Sequence, residues 1–510
     1  ETKVKEILIS LTEVPPANEI LFASLDRLEL DQSDLGAGNY PLGLQLFGRI
    51  LPSTVYRENP LSLLRLEEAI SNLRNKLADK NYFPNLIKKI FIDNQHSTRI
   101  TMRANSDVDP EKLINDKLKS IAQSFSEEGK AKIRDNASLL EQRQNSSCDD
   151  DILPRLTLGD VPICTPLMTP SELSENNIRA YEVASNNVFR VKLALSIDGL
   201  TAEELKILPI WCEFVTQLGS GKDDYVTVQH QRAAIGEFDV NCHFSPNPKK
   251  GLLGGFVTVS AKGLNRKVDE LVSSAANLIQ AVRFDENKRL ADLLKHVSNE
   301  YEQSMVHRGH QLAMLSSARH LSEASSLEEM WSGCSFIHNL KKLVPDSSGE
   351  EKMASLFEKF NTIRIKLLRS NPSIMLITDR QTVRKSVSAM KTFYQLPAML
   401  QSEINLDSSR FDEPSSWLIE SNVNYCALSY KSVREDDPEA AVYSVLGKYL
   451  QDEYLHSKIR EKGGAYGSGA NYFPASETFK FFSYRDCLRY SLRLFLDSIL
   501  YVYSKRASIV

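Results

Sequence analysis

A strand with one buried face, followed at once by a capped helix, is the pattern that most constrains how this chain folds. Residues 189–196 alternate apolar and polar side chains, the period of a strand that faces a core on one side only. Thr201, followed three residues later by Glu204, predicts a capping box at the start of a helix. Further strands are predicted at 236–245 and 255–263, and helices from 266 and from 285 to about 324. This order predicts an α+β sandwich over residues 152–345.

The last part of the chain repeats this alternation of strands and helices. Strands are predicted at 374–378, 423–429 and 478–484, and helices from Pro438 and at 490–503. Because residues 346–510 again combine strands with amphipathic helices, we predict a second α+β unit there. No residue-level repeat relates the two units.

Residues 1–110 mix helical and strand patterns and have no obvious opening element. Residues 66–77 carry a helical stripe of apolar side chains, and the alternation at 98–103 predicts a strand with Ile100 and Met102 directed inward. We therefore predict the C-terminal part of a preceding α+β domain. The missing initiator methionine favours the interpretation that the sequence is a fragment.

Residues 111–151 are polar and helical, which is typical of a connector between domains. Two helical stripes are separated by a break near residue 126: Ile114, Leu118, Ile121 and Phe125, then Ile133, Ala137 and Leu140. The pattern predicts a helical hairpin linker.

Composition and charge exclude several functional classes. With 42% hydrophobic and 25% charged residues, the chain can fill several cores. Its net charge of -4 gives no general attraction to nucleic acid. No apolar run approaches the roughly 20 residues that span a bilayer, and no secretory or transit signal is recognisable at the start. Seven scattered cysteines without a close pair predict reduced thiols. We expect no nucleic-acid or membrane partner.

The segment IREKGGAYGSGANY, residues 459–472, carries an arginine and a tyrosine on either side of two glycines. Helical spacing upstream places Arg460 in or near the last turn of a helix, and Gly463 and Gly464 tolerate the positive φ that ends one. In one interpretation Arg460 and Tyr466 face a single cavity. In the alternative, the segment is a helix C-cap whose arginine answers the helix dipole while the tyrosine packs nearby.

Strings spread along most of the chain carry a resemblance to a known family. In order they are LEEAISNLRNKLADK from Leu66, HSTRITMR from His96, LPRLTLGDVP from Leu153, LPIWCEFVTQLGSGKDDY from Leu208, the glycine segment, and FFSYRD from Phe481. The chain resembles the C-terminal half of a presequence-protease-type member of the pitrilysin/insulinase zinc metallopeptidase family. The resemblance implies an α+β fold with two successive α/β sandwich domains forming a bowl, preceded by a partial α/β domain and the helical hairpin linker.

Peptidases of this family carry His-x-x-Glu-His on a helix and a more distant glutamate, and no such motif occurs in this sequence. The resemblance therefore implies that zinc, its ligands and the general base belong to an N-terminal half, and we expect no metal ligands in this chain. His307 with His310, and His296 with Glu300, come nearest to ligand spacing. We favour exposed or partly packed side chains for both pairs.

The resemblance also assigns roles to the glycine segment. In the family, an arginine and a tyrosine of the C-terminal half lean toward the zinc, and the matching residues are Arg460 and Tyr466. They are implied to be catalytic and substrate-binding, with Gly463 and Gly464 among the substrate-binding residues. Arginine presents several donors to peptide carbonyls, and a tyrosine hydroxyl donates to an oxyanion.

Two weaker candidates stay open at this point. Tyr484, Arg485 and Asp486 either buttress the glycine segment or pack ordinarily at a strand end, and we favour packing. A basic cluster either faces peptide substrate or forms a solvated face, which we favour; its members are Lys249, Lys250, Lys262 and Arg266.

The resemblance implies the C-terminal half of a zinc-dependent oligopeptidase that degrades unfolded peptides in an enclosed chamber. The complete protein would be a zinc metalloendopeptidase, with the N-terminal catalytic half as partner, and this fragment alone is expected to be inactive. We expect a cytoplasmic, bacterial location, with the mitochondrial or plastid matrix as the alternative. The rival function is a non-catalytic peptidase homologue that acts as a binding or scaffold subunit. Retention of Arg460 and Tyr466 favours the peptidase.

Overall fold

The computed structural model describes residues 2–34, 41–56, 59–103, 109–146, 157–164, 167–174, 177–197, 199–247, 252–344, 349–370, 372–393, 416–486 and 491–507. The helices are α1 (Thr2–Glu13), α2 (Asn18–Ser33), α3 (Leu42–Val55), α4 (Leu66–Leu77), α5 (Tyr82–Ile87), α6 (Pro110–Ser124), α7 (Glu127–Asn145), α8 (Ala202–Val215), α9 (Tyr225–Ile235), α10 (Val268–Gln280), α11 (Asn287–Ala318), α12 (Glu323–Ser332), α13 (Cys334–Leu343), α14 (Gly349–Leu368), α15 (Arg380–Phe393), α16 (Ala440–Leu450) and α17 (Ser491–Ala507). The strands are β1 (Ile178–Glu182), β2 (Val188–Ser196), β3 (Gly236–Asn247), β4 (Leu252–Leu264), β5 (Ser373–Thr378), β6 (Asn424–Lys431), β7 (Gly467–Phe473) and β8 (Thr478–Asp486).

The chain groups into two compact units. One consists of Glu1–Pro15 and Asn81–Met168, and its described part is helical, with α1 and α5 to α7. The other consists of Pro16–Lys80 and Thr169–Val510 and contains both sheets. The combination of helices and sheets is the predicted α+β class. The predicted domain bounds stay predictions.

The first sheet has the order β1-β5-β2-β4-β3, in which β1 and β5 are parallel and the other neighbours antiparallel. Its core lies under α8, whose Trp211 is fully buried and donates a hydrogen bond from Nε1 to the Phe360 carbonyl at 3.1 Å. The predicted capping box at the start of α8 is confirmed. Thr201 N donates to Glu204 Oε2 at 2.7 Å, and Glu204 N donates to Thr201 Oγ1 at 3.3 Å.

Residues 374–378, predicted as a strand of the last unit, form β5 of the first sheet instead. β5 lies between β1 and β2, where Ile374 and Leu376 are buried in the core that contains Trp211. The local prediction of a strand is confirmed, but its assignment to the last unit is wrong. The physical reason is that alternation specifies one buried face and leaves open which core that face completes.

The second sheet is antiparallel, with the order β6-β8-β7. Its core contains Phe481 of β8 and Phe495 of α17, whose rings stack with centroids 5.7 Å apart. The strands predicted at 423–429 and 478–484 are confirmed as β6 and β8, because each carries the alternation that a half-buried strand needs.

The strand predicted at 98–103 is not formed. These residues have no regular structure, and Ile100 and Met102 are 83% and 92% exposed. A strand is stable only when another strand pairs with it, and no described residue pairs with this segment. The β component of the predicted partial α/β domain is therefore wrong for the described part of residues 1–110. The helical stripe at 66–77 is confirmed as α4, with Ile70 and Leu77 buried.

The two helices predicted for the linker are confirmed as α6 and α7. Asp109 caps α6 by accepting from the backbone N–H of Glu111 at 3.0 Å, and Ser126 caps α7 by accepting from Gly129 at 3.1 Å. Their apolar side chains, among them Leu118, are exposed. In the part of the chain that the structure describes, no helix has the length and apolar character to cross a bilayer.

Charged contacts hold α2 in the second unit. Asp26 accepts from Arg74 Nη2 at 2.9 Å and from Arg266 Nη2 at 2.8 Å, and it also pairs with Lys267. Desolvation alone would raise the pKa of Asp26, but hydrogen bonds from Lys267 and Arg74 lower the pKa below its ordinary value of 3.8. The carboxyl is therefore more acidic in the folded protein.

We expect Asp26→Asn to lower the free energy of unfolding at pH 7 by about 1–3 kcal/mol, because it removes the charged acceptor of several buried hydrogen bonds. A carboxyl with a depressed folded-state pKa contributes stability above its unfolded-state pKa, and this stability is lost as the pH falls through the folded-state value. The difference between wild type and variant should therefore shrink as the pH falls below the ordinary aspartate value. Urea unfolding at neutral and at acidic pH measures it, with exposed Asp31→Asn on the same helix as control. A loss that does not change with pH contradicts the ionic role.

Candidate functional site

The helix before the glycine segment is longer and wider than predicted. α16 continues directly into a π-helix, Gln451–Glu461, whose last turn contains Arg460. The chain then turns at Gly464, where φ is 77°. Gly464 N donates to the Arg460 carbonyl at 3.0 Å, and Ala465 N donates to the Ile459 carbonyl at 3.1 Å. The predicted glycine-terminated helix is thus confirmed, with Gly464 in the left-handed conformation that glycine permits.

A close approach of two strands places the tyrosine that follows this turn. β7 begins at Gly467, which lies opposite Tyr484 of β8 in the antiparallel register. A Cβ atom on residue 467 would overlap the Tyr484 ring, so glycine is required there. Tyr466, one residue earlier, therefore lies beside the end of β8.

The structure brings Arg460 and Tyr466 together. Arg460 Cζ lies 5.8 Å from the centroid of the Tyr466 ring, and Arg485 Cζ lies 5.3 Å from the same centroid. The Tyr484 ring is 5.5 Å from Tyr466, measured between centroids. Tyr466 is 57% exposed and both arginines are exposed, so the phenol is accessible to a ligand and adjacent to two guanidinium groups.

The two arginines keep their positive charge uncompensated by the described carboxylates. Neither Arg460 nor Arg485 forms an ion pair with a described residue. Two such cations beside a phenol hydroxyl form a surface suited to carbonyl oxygens or to developing negative charge. We name Arg460, Tyr466 and Arg485 the Arg/Tyr cluster.

Arg485 is the member that the sequence pattern did not single out, since we favoured ordinary packing for it. Its φ is 50°, a left-handed conformation that is uncommon for residues other than glycine. Held this way at the end of β8, Arg485 lies against Tyr466. The only sequence signal was the FFSYRD string, because a backbone conformation of this kind is not visible in residue types. The side chain of Asp486 lies outside the described residues.

An aromatic stack supports the cluster from below. The ring of His310 lies 4.8 Å from Tyr484 and 5.8 Å from Phe482, measured between centroids. Its Nδ1 is buried without a hydrogen-bond partner among the described residues, and burial lowers the pKa of His310. His310 therefore acts as a packed, neutral ring. His307 is exposed, which agrees with the packed or exposed interpretation of this histidine pair.

The described residues do not form a zinc site. No group of three or more histidine, cysteine, aspartate or glutamate side chains among them is arranged to hold a metal ion. His296 Nε2 lies 4.0 Å from Glu300 Oε2, and both side chains are exposed. Such a pair offers two ligands, fewer than the three protein ligands of catalytic zinc sites.

The predicted basic cluster is largely neutralised by acidic partners. Lys262 pairs with Asp34 at 2.7 Å and Glu237 at 3.0 Å, and Arg266 pairs with Glu29 at 2.8 Å. Lys249 and Lys250 lie outside the described residues. These ion pairs fit a structural role better than contact with substrate.

Comparison with known proteins gives the wider context. The family model for the associated region of peptidase family M16, subfamily C, matches residues 104–343. The mitochondrial presequence protease of Drosophila melanogaster is 27% identical over 444 residues, 84% of this chain and 42% of that protein. Presequence protease 1 of Arabidopsis thaliana, chloroplastic/mitochondrial, is 25% identical over 509 residues, 95% of this chain and 46% of that protein.

The chain spans about half the length of the curated relatives it matches. Among solved structures, a protease from Helicobacter pylori aligns with a TM-score of 0.44 and 11% identity, over 66% of this chain and 80% of that one. The sequence relationship extends over most of the chain. This chain is a homologue of the presequence proteases, in subfamily C of the M16 peptidases.

Proposed function

We propose that this chain is the C-terminal half of a zinc-dependent oligopeptidase that degrades unfolded peptides in an enclosed chamber. The observation that carries the proposal is the Arg/Tyr cluster, an exposed phenol beside two guanidinium groups that no described carboxylate neutralises. The relatives are about twice as long as this chain, which leaves room for a second half that holds zinc. A cytoplasmic location, or a mitochondrial or plastid matrix as the alternative, belongs to the same proposal.

In this function the cluster binds the peptide backbone and stabilises charge. Arg460 and Arg485 donate hydrogen bonds to peptide carbonyl oxygens and orient the chain. The Tyr466 hydroxyl donates to the carbonyl oxygen as that oxygen gains negative charge. Gly463 and Gly464 let the backbone turn so that both side chains project from one surface. His310 and Tyr484 keep the Tyr466 ring in place through ring contacts.

We expect Arg460→Ala in the complete protein to lower kcat/KM for an unfolded peptide at least tenfold, since a charged donor to the substrate is lost. Arg485→Ala should lower it several-fold for the same reason. A fluorogenic peptide assay measures both, and Arg493→Ala on α17, an exposed arginine, is the matched control.

The same assay decides between the peptidase and the scaffold. Turnover that is abolished by a chelator and restored by zinc supports the peptidase. Absence of turnover by the complete protein, with normal binding of a partner subunit, would favour the non-catalytic homologue. Unchanged kcat/KM in Arg460→Ala would remove Arg460 from the catalytic assignment.

A further inference from the structure

A cavity runs along the free edge of the first sheet. β3 is the terminal strand of that sheet and pairs only with β4 among the described residues. The cavity has a volume of about 620 Å³, within the usual range of ligand-binding pockets, and six consecutive residues of β3, 239–244, line it. Successive side chains of a strand point to opposite faces, so contact with six in a row places the cavity beside the strand edge.

Helices close the other sides of the cavity. α8 contributes Cys212 and Glu213, α11 contributes Tyr301, and α12 contributes Glu328 and Trp331. Trp331 is held in place because its Nε1 donates to the Leu205 carbonyl at 2.9 Å. The result is a cleft with a strand edge on one side and aromatic rings on the other. The lining does not include Arg460 or Tyr466, so the cavity is separate from the Arg/Tyr cluster.

The charge of the lining is negative. Among the described residues, no lysine or arginine lines the cavity. Of the three carboxylates that line it, Glu328 is paired with Lys480 Nζ at 3.1 Å, and Asp239 accepts a hydrogen bond from the neutral amide of Asn241. Glu213 is half-buried, and its side chain has no hydrogen bond or ion pair with a described residue. Two carboxylates, Glu213 and Asp239, are thus left without a cation from the described part of the chain.

Nearby titratable groups do not supply the missing positive charge. Burial of His243 lowers its pKa, and the positive charge of Lys192 lowers it further, so the ring is neutral at pH 7. Burial raises the pKa of Glu213, and the negative charge of Glu300 adds to this effect while His296 opposes it. A cation entering the cavity would relieve that unfavourable environment.

We propose that this cavity binds an extended peptide segment that carries an arginine or lysine side chain. The segment's backbone pairs with the free edge of β3, which is how sheets commonly accept an added strand. Its basic side chain lies between Glu213 and Asp239, with the apolar stem against Trp331 and Tyr301. This inference rests on the proposed function, because the segment belongs to a peptide substrate. The cavity then selects basic peptides at a point remote from the Arg/Tyr cluster.

The test is binding without turnover. The complete protein is treated with a chelator, and a fluorescent nine-residue peptide of alternating valine and arginine is titrated by anisotropy. The same peptide with glutamate in place of arginine is the comparison. We expect the arginine peptide to bind at least tenfold more tightly than the glutamate peptide. The double variant Glu213→Gln/Asp239→Asn should lose this preference, and Glu203→Gln, an exposed change on the same helix, should keep it.

A second measurement uses the unaltered protein and does not depend on the variants folding. Cys242 is half-buried in the cavity wall, whereas Cys164 is exposed. We expect the arginine peptide to slow alkylation of Cys242 by iodoacetamide several-fold and to leave Cys164 unaffected, both quantified by mass spectrometry.

Two results would overturn the site: equal affinity for both peptides, or alkylation of Cys242 at the same rate with the arginine peptide bound. The proposed function can fail separately. A complete protein that shows no peptide turnover but keeps the charge-dependent binding retains this site. A protein with normal turnover and no protection of Cys242 keeps its peptidase function and loses the site.

Discussion

Tyr466→Phe is expected to lower kcat for peptide hydrolysis by the complete protein about a hundredfold, the usual effect of losing one hydrogen-bond donor to an oxyanion. The substitution removes only the hydroxyl, so the ring keeps its contacts with Arg460, Arg485 and Tyr484. KM should change little, because the donor acts mainly on charge that develops during the reaction. Steady-state kinetics with an unfolded peptide measure both constants.

Tyr56→Phe is the matched control, since Tyr56 is 79% exposed and belongs to a different part of the fold. Both variants should keep the melting temperature and the zinc content of the wild type. A kcat equal to that of the wild type would show that the Tyr466 hydroxyl has no part in catalysis, whatever the role of the ring.

Glu328→Ala should destabilise the folded chain by about 3 kcal/mol, the order expected when one partner of a buried ion pair is removed. Lys480 of β8 is 2% exposed, and its Nζ lies 3.1 Å from Glu328 Oε2 of α12 and 4.5 Å from the centroid of the Phe473 ring. Without Glu328, an ammonium group stays buried with no described carboxylate beside it. Urea unfolding at pH 7 measures the loss.

The double variant Glu328→Ala/Lys480→Met provides the control. Methionine fills a similar volume without a charge, so most of the lost stability should return. Exposed Glu203→Ala should change stability by no more than about 0.5 kcal/mol. If Glu328→Ala costs no more than that, or if the double variant is less stable than the single one, the buried pair is not what joins α12 to β8.

Local patterns predicted individual elements better than their partners. The Thr201/Glu204 capping box and the alternation of β2 involve residues close in sequence, so the sequence shows them directly. β5 was recognised as a strand but assigned to the wrong unit, because pairing with β1 and β2 joins residues far apart in the chain. The alternation at 98–103 failed for a related reason, since no described strand pairs with it.

The candidate site divides in the same way. The glycine turn after Arg460 was visible because Gly464 is needed where φ is positive. The position of Arg485 was not visible, because it depends on the register that sets Gly467 opposite Tyr484. The cavity beside β3 was not visible either, since its walls come from elements separated by loops and helices in the sequence.

By itself, the sequence determined the α+β class, the capped helix α8, the glycine turn and the presence of Arg460 and Tyr466, all of which depend on residue type and short-range spacing. Only the tertiary structure decided that β5 joins the first sheet, that Arg485 lies against Tyr466, and that Glu213 and Asp239 share a cavity. The reason is physical: backbone preference and amphipathic period act over a few residues, whereas sheet membership and side-chain proximity are settled by which distant surfaces bury each other.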